Sequence, residues 1–184
     1  EAGANSYIWE PWFGLWRVSG AVSRADTDAE NDSTSDILTG DVEVNLFHRS
    51  HFPLTAFVGV RDSRVELGDL SEATSDVRIF RFGLTQQYQD LANGIYYLGT
   101  FDRDQQETLN DGTETTSNRL LLSADRRGEV HSLNGVFTAN HSTSNVADSQ
   151  IGFTQLVVTH DYRPGPDLSI TSSADAAYLT GDSD

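Results

Sequence analysis

Five histidines, twelve basic residues and 28 carboxylates are the groups of this 184-residue chain that could do chemistry, and their spacing argues against most of it. His48, His51, His131, His141 and His160 fall at or near the ends of alternating segments, and none belongs to the H-E-x-x-H pattern that sets two imidazoles on one helix face around zinc. His48 and His51 straddle a turn, and all five read as surface histidines. No G-x-S-x-G elbow, phosphate loop or dinucleotide fingerprint occurs, and Ser, His and Asp are so frequent that a triad needs geometry to be recognised. There is no Cys, which removes thiolate nucleophiles, disulfides and cysteine metal sites. The residues predict no enzyme and no cofactor.

The acids gather in two polar stretches, residues 26–36 and 66–76, which read as solvated loops. Asp26, Asp28, Glu30 and Asp32 offer oxygen ligands for calcium, but the run lacks the Gly and the twelfth-position Glu of an EF-hand loop, so that signal is weak. Every basic residue is Arg, and the net charge of -16 repels nucleic acid and anionic surfaces, which excludes nucleic acid as a partner. Met is absent and the chain starts at Glu1, so a processed chain or a piece of a longer one is expected.

A different group of charges sits inside the segments that must be regular. Arg17, Asp41, Glu43, Arg61, Arg81, Asp102, Arg119 and Asp125 alternate with Val, Leu and Phe at a period of two, the period of a strand with one apolar and one polar face. The segment Asp41, Val42, Glu43, Val44, Asn45, Leu46 shows it best. About nine such strands are expected, with no helix, joined by short turns near residues 49–53, 90–94, 126–130 and 163–167. Long connections are expected at residues 26–36, 66–76, 107–117 and 142–149. The strands exceed the ordinary soluble mean and match what a tilted strand needs to cross a bilayer. Alternating short turns and long loops belong to transmembrane barrels, and Phe52, Tyr88, Tyr96, Tyr97 and Tyr162 near the short turns would form an aromatic girdle.

With its stretches Tyr7-Ile8-Trp9-Glu10-Pro11-Trp12 and Arg49-Ser50-His51-Phe52-Pro53-Leu54, the chain resembles poorly characterised outer-membrane β-barrel proteins of Gram-negative bacteria over essentially its whole length. The resemblance implies an all-β, up-and-down antiparallel transmembrane barrel in the bacterial outer membrane; a strand count near nine and the polar ending make residues 1–184 read as one segment, the N-terminal portion of a larger barrel. It departs from that family in its polar ending at Asp184, where such barrels finish on an aromatic strand. The eight strand charges would line the lumen of a pore or export conduit for a polar solute or polymer. Its partners would be the bilayer, a periplasmic or lumen protein, and further strands from the rest of the chain or from other copies. Two alternatives share the periodicity: a scaffold barrel with a plugged lumen or displayed acidic loops, and a soluble extracellular β-domain that binds ligand or assembles by its strand edges.

Overall fold

The computed structural model describes residues 1–27, 33–67, 76–146 and 148–182. Within them the chain forms one antiparallel sheet of ten strands and no helix. The strands are β1 (Ala2–Ile8), β2 (Gly14–Thr27), β3 (Ser33–Leu46), β4 (Leu54–Leu67), β5 (Val77–Asp90), β6 (Ile95–Thr108), β7 (Thr113–Arg127), β8 (His131–Ser144), β9 (Ser149–Gly165) and β10 (Leu168–Asp182). Each pairs only with its sequence neighbours, so the sheet is an up-and-down meander. β1 and β10 do not meet, and the sheet is open rather than closed into a barrel.

Two expectations are corrected. The strands number ten, because residues 2–8 pair with β2 from Ala2↔Gly20 to Ile8↔Gly14, although their small and polar side chains carry little alternation. The expected long loop at 107–117 is mostly strand and the one at 142–149 is half strand: β6 and β7 stay paired out to Thr108↔Thr113, and β8 and β9 out to Ser144↔Ser149. Polarity marks solvent, not the end of a ladder, and the Thr-rich run Thr113, Thr115 and Thr116 suits a pleated backbone. Among the described residues the asymmetry therefore lies in how far polar strand ends project, not in loop length.

The short turns are set by local chemistry. In the turn between β5 and β6, the Asp90 carboxylate accepts hydrogen bonds from the backbone N–H groups of Ala92 and Asn93 and from the Asn93 amide. Gly94 then takes a left-handed φ of 62°, and its carbonyl receives the N–H of Arg127 from the next hairpin. The Asn93 side-chain bond, helped by the two backbone bonds, holds the Asp90 pKa below its ordinary value. A depressed carboxylate stabilises the fold above the unfolded pKa, and that contribution is lost as pH falls through the folded value. Carboxyl NMR is expected to show Asp90 titrating below an unstructured Asp; an ordinary midpoint would remove this turn from the acid response.

No apolar core forms among the described residues. Among the described residues no side chain is buried; only Gly14, Gly59 and Gly83 are. Large apolar groups stand in the open along the strands, including Val22, Leu38, Tyr97, Leu122 and Tyr178. A single sheet has nothing of its own to cover them.

Candidate functional site

The pairing sorts every strand residue onto one of two faces. Arg17 lies opposite Glu43, which continues through Phe57, Gly83, Asp102, Arg119 and Asn140 in one transverse row. The neighbouring row runs Ser19, Asp41, Gly59, Arg81, Asp104 and Ser117. Arg61 and Asp125 lie an even number of residues from Gly59 and Arg119 on their strands, so all eight expected charges share one polar face.

This face is cross-linked. Arg81 Nε lies 2.8 Å from Asp104 Oδ1, and Asp102 and Asp41 add to the negative field around that guanidinium. Asn45 donates to Glu43 at 2.6 Å, and Thr55 donates to Asn45 at 2.6 Å. Arg119 reaches Asn140 at 3.3 Å, and Asp125 pairs with Arg127 at 2.9 Å. Arg17 and Arg61 make no ion pair among the described residues. Gly59 and Gly83 are buried because neighbours lie across them: a Cβ at Gly59 would stand 2.8 Å from Asp41 Oδ1, and one at Gly83 would overlap the Phe57 ring and stand 2.8 Å from Asp102 Oδ1. The two glycines let acidic and aromatic side chains fold flat over the middle of the sheet.

The other face carries Val18, Val42, Val58, Phe82, Leu84, Phe101, Leu120, Leu122, Phe137, Leu156 and Val158. Its apolar residues form a band that is oblique to the hydrogen-bonded rows. On β2 the band spans residues 14–22, centred on Val18, and on β9 it spans 154–162, centred on Val158. The row through Val18 passes Val42, Val58, Phe82, Arg103, Asn118 and His141 and reaches β9 at Gly152, six residues short of Val158. At about 3.3 Å per residue and about 4.8 Å per strand, that drift over seven strand spacings tilts the strands by roughly 30° against the band. Arg103, Asn118 and His141 share a row and a face with Val18, yet they fall outside the band. Measured across the tilt the band is roughly 25 Å tall, the height of the apolar belt of a membrane barrel.

Aromatic rings follow its short-turn edge. Phe52 stacks on Tyr88 at 4.6 Å, Tyr88 on Tyr97 at 5.9 Å, and Tyr162 on His131 at 4.8 Å. Four of the five expected girdle residues thus lie along that edge; Tyr96 lies opposite Asp125 and faces the polar side. A second cluster escaped the sequence reading: Phe13 packs edge-on against Trp9, Trp12 and Phe47, at 5.8, 6.4 and 5.2 Å. Trp9 and Phe47 take left-handed φ values of 62° and 53°, which costs about 1–3 kcal/mol at each. The closely spaced aromatics Trp9, Trp12 and Phe13 are the available signal.

The remaining candidates do not converge. Asp28, Glu30 and Asp32 of the calcium candidate lie outside the described residues, and Asp26 accepts from Arg24 at 3.3 Å. No cluster of three metal-ligating groups occurs among the described residues. His51 Nδ1 bonds the Gln89 carbonyl at 2.7 Å, His141 meets Gln150, and His131 meets His160 at 3.0 Å. None of these contacts joins a histidine to a serine. No protein-family model matches the chain, and no curated protein matches it.

Proposed function

We propose that this sheet is wall of a bacterial outer-membrane β-barrel, with the oblique apolar band against lipid and the polar face lining a lumen that passes a polar solute or polymer. The observation that carries the reading is the drift of the band. A flat slab of hydrocarbon crossed by tilted strands demands such a drift, and the inferred tilt approaches the 35–45° of known membrane barrels. A soluble sheet packed on a second layer needs one apolar face, but not a band of this height ringed by aromatics along one edge. The absence of any buried apolar side chain among the described residues also weighs against a sheet that is stable in water by itself. The free edges of β1 and β10 call for further strands, from the rest of the chain or from other copies, because lipid does not satisfy open backbone groups.

Passage would be governed by the mixed charges of the polar face, strongest where Arg81 stands among Asp41, Asp102 and Asp104. Two measurements test the reading. Cells producing the protein are expected to yield it in the outer membrane, with a heat-dependent mobility shift in detergent; recovery as a soluble protein sinks the barrel. In planar bilayers Arg81→Glu replaces the cation that stands among these three carboxylates by a fourth carboxylate and is expected to move the reversal potential toward cations. An unchanged reversal potential removes Arg81 from the filter, and a barrel without conductance favours the plugged scaffold.

A further inference from the structure

We infer that the apolar face carries a specific site for one glycerophospholipid with an amine headgroup, at the short-turn rim of β6, β7 and β8. This rests on the barrel reading, since only a face turned to lipid meets such a ligand. The site begins as a dent of about 640 Å³ in the apolar face, floored by Gly99, Ala124 and Gly135 and walled by Tyr97, Leu122 and Phe137. Gly99 pairs with Leu122, and Ala124 pairs with Gly135, so three small residues meet where neighbouring strands carry Leu, Phe and Tyr. A Cβ at Gly135 would meet nothing within 4 Å, so the floor is open there. The dent has the apolar lining that an acyl chain takes.

One same-face step further toward the turn, Ala124 gives way to Arg126 and Gly135 to Leu133. There a second hollow of about 590 Å³ is lined by Arg126, Glu129, His131 and His160. Arg126 is exposed and makes no ion pair among the described residues, on a face whose cost for Arg is relieved only near the interface. The hollow thus joins an unpaired cation, which suits a phosphate, with a carboxylate, which suits an ammonium. Apolar dent and two-sign hollow, in line and at the edge of the band, match the chain, phosphate and amine of phosphatidylethanolamine better than a headgroup with net negative charge.

The test is native mass spectrometry of the full chain released from nanodiscs of equal phosphatidylethanolamine and phosphatidylglycerol. The expected result is one retained phosphatidylethanolamine, reduced about tenfold by Arg126→Gln, which removes the phosphate partner, and similarly by Gly135→Leu, which fills the dent from an open position. The heat-dependent mobility shift identifies folded variants, and either one that folds suffices. Retention that ignores headgroup, or that a folded variant leaves unchanged, means annular lipid only and overturns the site while the barrel stands. A wild-type protein that stays soluble without detergent overturns both readings together.

Discussion

Val18→Arg is expected to cost about 2–4 kcal/mol of folding stability in a bilayer, and His141→Arg close to nothing, although the two positions share a transverse row and a face of the sheet. The difference comes from depth. Val18 sits at the centre of the apolar band on β2, where, in the proposed barrel, a guanidinium would be dragged into hydrocarbon. Along the row the band slides toward the short turns, so that His141 on β8 stands in the polar strand end beyond it. Denaturant titration of the two variants refolded into liposomes reads the costs directly. Equal penalties would mean that the row, not the oblique band, lies parallel to the covering layer, and the tilt would be wrong. Val158→Arg supplies the matching control, since Val158 is the band centre on β9 and the same penalty is expected there.

Gly83→Ala is expected to destabilise the sheet by about 1–3 kcal/mol, most of it recovered in a Phe57→Ala background. The added methyl would occupy the space of the Phe57 ring and stand 2.8 Å from Asp102 Oδ1. The ring would have to leave its place, and the Asp102 carboxylate would have to turn away from the backbone it covers. A double-mutant cycle on unfolding in detergent separates this contact from a general effect of glycine replacement. Additive losses would show that Phe57 does not lie across Gly83. Because both positions belong to the polar face, Gly83→Ala is also expected to change conductance in the proposed barrel, whereas a substitution confined to the apolar face would leave the proposed lumen as it is.

Much of the sheet is legible in the residues because a strand writes its two faces at a fixed period. The eight charges from Arg17 to Asp125 fall on one face in the sheet as their parity requires. Where neighbouring apolar residues blur the pattern, at Leu156, Val157 and Val158, pairing decides: Leu156 joins Phe137, Val158 joins Gly135, and Val157 turns to the polar side. Strand ends are poorly legible, since Thr113 to Thr116 and Ser142 to Ser144 look like loop by polarity yet remain paired. β1 is poorly legible for a related reason. Ala2, Ala4 and Ser6 are too small to display a face. Tyr96 and Tyr97 show the limit on the aromatic rim, because adjacent residues cannot both lie on it.

By itself the sequence determined an all-β chain with one apolar and one polar face, since that information is local and is carried by residue parity along each strand. Tertiary structure alone decided what depends on register between strands: that ten of them form a single open sheet, that Asp102 and Phe57 lie over Gly83, and that the apolar band crosses the hydrogen-bonded rows at an angle. Register joins residues many positions apart, and no short window of sequence contains it.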